Sequence, residues 1–261
     1  MAVESAVVTH VVHLSRRSAL RALREPTVMF PITVGPLIFF GVLAGGVTAA
    51  GGIPGFPAVS YTDFVFAMAF VVVALLAAVQ TGTLLARDIE LGFLDRLLLT
   101  PTSSLAILVG HLMGAAALVS LEVVVYLGIG LAVGVNIEAG IGGVFVLALL
   151  VVPFAVGIGG ISTFVALRTG SAEAVQGTFP LMFALMFLSS LLLPRDLIEA
   201  DWFRTVATIN PISYFIESVR SLIITGWDVE ALARGFLVVA GTLAAGLTAA
   251  TIALRGRVER T

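Results

Sequence analysis

The chain has 261 residues, 59% of them apolar and only 11% charged, with a net charge of −2. A water-soluble domain carries roughly 25% charged residues, so this composition excludes a fully aqueous surface and makes lipid the main solvent. There is no cysteine, which excludes disulfides and thiolate metal sites, and all fourteen basic residues are arginine, so no P-loop of the GxxxxGK[ST] type is possible.

Residues 1–26 do not read as a signal peptide. Arg16, Arg17, Arg21 and Arg24 have no long apolar core before them and no small-residue cleavage site. At about 100° per residue, His10, His13, Arg17, Arg21 and Arg24 share one face, while Val8, Val12, Ala19 and Leu23 lie opposite. This predicts an amphipathic helix in the headgroup layer; a simple basic tail is the plain alternative.

A bilayer core takes about 20 apolar residues per helix. The first predicted span covers 28–47, with Pro31 and Pro36 near its start, and is followed by the uncharged loop "TAAGGIPGFPAVS". The second covers 64–85 and leads into "RDIELGFLDRLLLTP", which puts five charged side chains into the ten positions 87–96. The third covers 105–133 and ends at the turn "GVNIEAG"; the fourth covers 144–167 and ends at "RTGSAEA"; the fifth covers 175–193. Residues 194–234 are mixed in character, the last span covers 235–254, and "RGRVERT" follows.

Six spans place both ends on one side. That side collects ten arginines, from the first 26 residues, the 86–103 segment, the 168–174 loop and the tail, whereas the loops at 50–62 and 134–142 have none. The excess marks that face as cytoplasmic. Residues 194–234 carry four more arginines and run against the rule. Within them, 206–225 reads either as a seventh span or as a re-entrant helical hairpin. Asn210-Pro211, Glu217 and Arg220 favour the hairpin, because such backbone survives at membrane depth only where protein buries it.

As a helix from Asp88, the charged segment gathers Asp88, Gly92, Asp95 and Arg96 on one stripe, with Glu90 among the apolar residues. Proline disfavours helix in the residue before it, so this helix is expected to stop at Thr100-Pro101. Its polar stripe faces water or a partner; a solvated interfacial loop is the plain alternative.

Glu122, in the middle of the third span, is a functional candidate by its depth. It binds a cationic substrate or carries a proton, or it is a hydrogen-bonded structural glutamate, and both readings stay open. Gln80 lines a pathway or bridges two helices. Glu217 and Arg220 are spaced to pair along one helix. Glycines at 41/45, 110/114 and 130/134 have the spacing that permits close helix approach. No HExxH, GxSxG or clustered ligand set is present, and the scattered arginines do not suggest nucleic-acid binding.

The pattern E-x-G-x-L-D-x-L-L-x-T-P, here Glu90, Gly92, Leu94, Asp95, Leu97, Leu98, Thr100 and Pro101, resembles the cytoplasmic coupling segment of ABC type-2 exporter permeases of the daunorubicin-resistance kind. "NPISYFIESVRSLI" (210–223) resembles the segment before the last span of that family, and "LREPTVMFPITVGPLIFF" its opening. Phe93 and "SSLLLP" (189–194) depart from the commonest form, which leaves the subfamily open.

The resemblance implies an all-α membrane protein. It would have six transmembrane helices, an N-terminal amphipathic coupling helix (1–26) and a six-span domain (27–261). That domain would include a coupling helix at 86–103 and an external re-entrant hairpin at 194–234 before the last span. It implies two copies of a separate ATPase, carrying the ATP and Mg2+, and a second permease chain, identical or related, with no cofactor or metal on this chain. Asp88, Glu90, Gly92, Asp95 and Arg96, with Arg17, Arg21 and Arg24, would meet the ATPase. Asn210, Pro211, Tyr214, Glu217 and Arg220 would form the hairpin, and Gln80 and Glu122 are candidates for the pathway. The implied activity is ATP-driven export of a hydrophobic or amphipathic substrate across a bacterial plasma membrane. Two other classes are a proton-coupled secondary transporter using Glu122 and a membrane scaffold for another protein.

Overall fold

The computed structural model describes residues 26–46, 61–99 and 104–258. The expected N-terminal helix, with Arg17, Arg21 and Arg24, and the expected stop at Thr100-Pro101 lie outside the described residues. Among the described residues all regular structure is helical: α1 (Pro26–Gly46), α2 (Tyr61–Glu90), α3 (Phe93–Leu98), α4 (Ser104–Ala132), α5 (Gly140–Thr169), α6 (Ala172–Gln176), α7 (Phe179–Phe187), α8 (Asp201–Ile209), α9 (Pro211–Arg220) and α10 (Val229–Val258). A short 3-10 turn covers Arg195–Leu197 and a π-helical turn covers Ser221–Thr225. The helices at Tyr61–Glu90, Leu105–Ala132, Gly140–Thr169 and Val229–Val258 are long and apolar enough to cross a membrane.

The centre is α2. From Phe64 to Val79 it offers no polar side chain, and a helix that is apolar all round has to be buried on all sides. It packs against α1, α4 and α5, and α5 in turn packs against α10. Phe66 lies fully buried against Gly130 of α4, where any Cβ would strike its ring.

The α5–α10 contact is a backbone-to-backbone approach. A Cβ on Gly157 would lie 2.7 Å from the backbone of Thr242 and Leu243, and one on Gly160 would lie 2.6 Å from the carbonyl carbon of Gly246. A Cβ on Gly82 of α2 would stand 2.7 Å from the Ser162 side chain. Small residues that let helices meet thus include Gly82, Gly157, Gly160, Gly235 and Gly246, with Gly130 of the predicted 130/134 pair against Phe66. The predicted pair Gly41/Gly45 faces open space within this chain. In lipid, such close packing replaces the hydrophobic drive between helices.

Two expected helices differ. The helix expected from Asp88 is interrupted at Leu91–Gly92, because Gly92 adopts a left-handed φ of 65°. Asp88 and Glu90 thus finish α2, while Asp95 and Arg96 sit on α3. The fifth apolar stretch, expected to be continuous over 175–193, is broken: α6 and α7 are separated by a turn, and the chain leaves helical form after Phe187.

Contacts define two ends. At one, Asp95 of α3 meets Arg257 of α10, and Glu90 meets the start of α6. At the other, Arg220 meets Phe64 near the start of α2, and the amides of Glu138 and Ala139 donate to the carbonyls of Ile223 and Leu222. Gly246→Leu is expected to force α5 and α10 apart at a cost of about 1–3 kcal/mol, and Gly41→Ala to cost nothing measurable. Thermal unfolding of the two detergent-purified variants, followed by tryptophan fluorescence, checks this contrast.

Candidate functional site

At the α3 end, the charges that crowd residues 87–96 are largely engaged within the chain. The Glu90 Oε1 accepts from the Ala172 amide at 2.8 Å, so it satisfies an orphan donor in the first turn of α6. The N-cap of α6, Ser171, accepts from the Ala174 amide at 3.3 Å. Asp95 receives the Arg257 guanidinium, with Nη2 at 3.0 Å and Nε at 3.3 Å from Oδ1. Arg96 turns back on the break itself, donating from Nε to the Gly92 carbonyl and from Nη2 to the Leu91 carbonyl, both at 3.1 Å. The expected open polar stripe is therefore mostly a set of clamps that tie α3 to α10 and to the break after α2, and α2 to α6. What stays exposed on this segment is Arg87, Glu90, Leu91, Arg96 and Leu99, with the two leucines 69% and 81% exposed.

Midway along α4, Glu122 is fully buried. Thr33 of α1 donates to its Oε1 at 2.7 Å, and the Tyr126 hydroxyl, one helical turn on, donates to the Thr33 carbonyl at 2.5 Å. Glu122 thus joins α1 to α4, while its Oε2 has no hydrogen-bond partner among the described residues. Gln80 is half-buried on α2, away from Glu122's hydrogen bonds. His111 of α4 meets the neighbouring Thr81 carbonyl at 3.1 Å.

At the opposite end, the spacing of Asn210, Tyr214, Glu217 and Arg220 puts them on roughly one face of α9, and that face meets the broken fifth stretch. The Asn210 Oδ1 caps α9 through the Ile212 amide at 2.9 Å, with Pro211 at the first helical position. Its Nδ2 donates to the carbonyls of Leu185 at 2.6 Å and Leu188 at 3.0 Å. The Tyr214 hydroxyl donates to the Thr208 carbonyl, which closes the turn between α8 and α9. Arg220 is 6% exposed; it donates to the Ser190 carbonyl at 2.5 Å, to the Leu191 carbonyl, and from Nε to the Phe64 carbonyl at 3.3 Å, and lies over the Phe64 ring at 3.4 Å.

The expected Glu217–Arg220 pairing is not what forms. Glu217 receives Arg195 in a two-pronged contact, at 2.9 Å from Nε and 2.5 Å from Nη2, and the Ser190 hydroxyl at 2.8 Å. Tyr214 stacks under the same guanidinium at 4.6 Å. Burial works against the Arg195 charge, but the Glu217 carboxylate and the Tyr214 side chain together more than compensate and hold its pKa above the ordinary arginine value. Sequence reasoning missed Ser190, Arg195 and Phe64 as partners. The available signal was "SSLLLPR", a serine pair and a proline inside an apolar stretch, followed at once by a charge.

Residues 9–224 match the ABC-2 type transporter family. The chain belongs to that family. It is 29% identical over 225 residues to the daunorubicin resistance ABC transporter permease protein DrrB1 of Streptomyces coeruleorubidus, covering 84% of this chain and 76% of that protein. It is 26% identical over 216 residues to the putative transport permease ycf38 of Porphyra purpurea, covering 82% of this chain and 74% of that one. Family and helices together make it a multi-pass membrane subunit of an ABC transporter, a family that works with an ABC ATPase.

Asn210→Asp separates the two roles of that residue: the capping oxygen is kept and both donors to Leu185 and Leu188 are lost. The variant is expected to be destabilised by about 1–3 kcal/mol, and Asn210→Ala by at least as much. Thermal unfolding in detergent reads both.

Proposed function

We propose that the chain is the permease of an ATP-driven exporter that moves a hydrophobic or amphipathic substrate, such as a drug, a lipid or a lipid-linked glycan, out of the cytoplasm or the inner leaflet. Two copies of a separate ATPase, which carry the ATP and Mg2+, bind at the α3 end together with residues 1–26. A second permease chain, identical or related, completes the pathway in a bacterial plasma membrane. In this reading α1 and the broken α6–α7 segment supply two crossings beside the four long helices. Both termini are then cytoplasmic, and 194–234 is an external re-entrant hairpin.

Export is supported by the drug-resistance function named for the Streptomyces relative. The mechanical part rests on one observation, the Asp95–Arg257 pair. It joins α3, at the surface where an ATPase would push, to the cytoplasmic end of α10. That helix has 30 residues, roughly 45 Å at about 1.5 Å per residue. Its other end carries Glu230 and Arg234 beside the α9 cluster. The exposed Leu91 and Leu99 flank the clamped charges and offer apolar contact to a docking ATPase. Movement of α3 is thereby passed to α10, and through the α5–α10 glycine contact to the rest of the bundle.

Affinity purification of the tagged chain in mild detergent should bring down an ATPase of separate sequence in stoichiometric amount. Asp95→Arg should keep that partner bound but lower substrate transport per ATP hydrolysed several-fold, and Asp95→Arg with Arg257→Asp should restore it. A chain that always emerges alone would overturn the exporter reading. A double variant no better than the single would overturn the lever.

A further inference from the structure

The α9 end carries an open cavity of about 500 Å³, within the size range of small-ligand sites. Phe64, Pro194, Ile224 and Ala231 give it apolar wall. Its charged side chains fall into two groups. Arg195 pairs with Glu217, and Arg234 pairs with Glu230, so these four cancel locally. Arg220, Asp196 and Asp228 also line it, and none of the three has an ion-pair partner among the described residues.

These three differ in depth. Arg220 is buried, whereas Asp196 and Asp228 are exposed. Arg220 rests on carbonyl dipoles and one aromatic face, with no carboxylate bound to it. The carboxylate that acts on it from nearby, Glu217, is bound to Arg195 and offsets the desolvation only in part. Three of its five N–H donors are used, one each on Nε, Nη1 and Nη2, which leaves one on each terminal nitrogen. That pair suits the oxygens of a phosphate or carboxylate. The Asp228 Oδ1 accepts from the Glu230 and Ala231 amides, both at 3.0 Å, which fixes the carboxylate in place at the rim.

We propose that this cavity binds the zwitterionic head of an amphiphile, its anionic group drawn to Arg220 at the floor and its cationic group held by Asp196 and Asp228 at the rim. A purely anionic ligand leaves the rim carboxylates unanswered, and a purely cationic one leaves Arg220 unanswered. The apolar wall takes the part of the molecule next to the head. Such a head belongs either to a lipid of the surrounding leaflet or to a transported amphiphile. That the cavity lies on the exit face rests on the exporter reading; the binding itself does not.

The test uses the full chain carrying Trp202→Phe, so that Trp227, next to Asp228 in the sequence, is the sole tryptophan. In nanodiscs of phosphatidylglycerol it is titrated with dihexanoylphosphocholine, dihexanoylphosphatidic acid and hexyltrimethylammonium, each below its micelle threshold, and Trp227 emission is read. The zwitterion should bind more tightly than either single-charge probe by about fivefold or more, the scale of partly exposed charge pairs. Asp196→Asn with Asp228→Asn keeps the α10 cap, because asparagine caps as well as aspartate, and should remove the preference over the anion. Repeating the titration in phosphatidylcholine nanodiscs identifies the source. A weakened apparent affinity makes bilayer lipid the occupant, and an unchanged one makes it a transported molecule. Equal binding of all three probes, or a preference that survives the double substitution in a protein of unchanged Tm, would overturn the proposal. Neither the ATPase nor transport enters this measurement, so its failure leaves the exporter reading standing, and the reverse also holds.

Discussion

The structure depends on how the backbone is satisfied where the fifth apolar stretch stops being helical. The last carbonyls of a helix have no intrahelical donor, and here those of Leu185, Leu188, Ser190 and Leu191 need one from elsewhere, with Ser190 and Leu191 fully buried. An unsatisfied carbonyl there costs several kcal/mol. Asn210 and Arg220, at the two ends of α9, donate to all four. The break and the helix that repairs it are therefore one unit. The α8 turn, the Arg195–Glu217 pair and the cavity beside them are positioned by it.

The other end is organised differently. There the chain uses charge pairs and a capped short helix, with α3 tied to α10 by Asp95–Arg257 and α2 tied to α6 by Glu90. These contacts are partly exposed, so each adds little stability. Their value is geometric, because they attach a surface segment to long helices that reach the opposite end. The glycine-lined approach of α5 to α10 adds the complementary property. Two backbones that touch with no side chain between them shift together.

Much of this was legible in the sequence because lipid imposes simple rules. Long apolar stretches, one of them carrying Glu122, marked the four principal helices. The charged segment after α2 and the Asn210 to Arg220 motif were both visible as concentrations of polar chemistry in an oily chain. Their partners were not. Spacing along one helix suggested that Glu217 pairs with Arg220, but Arg195 approaches Glu217 from a separate turn. Arg220 is drawn instead to carbonyls whose exposure depends on a break not evident from hydropathy. The same limit applies to glycine. Gly41 and Gly45 have the motif spacing and face open space, while Gly157, Gly160 and Gly246 make the closest approach because α5 and α10 happen to cross there. Contacts between distant elements are set by the packing of the whole bundle, which local patterns do not encode.

The proposed exporter requires the α3 clamp and the α9 cluster to lie on opposite faces of one membrane. The absence of cysteine makes this directly measurable. Single cysteines at Leu99 and at Trp202, both largely exposed, would be challenged in intact cells with a membrane-impermeant maleimide. The cysteine at 202 should be labelled from outside, and the one at 99 only after the membrane is permeabilised. Labelling of both from the same side would contradict that arrangement.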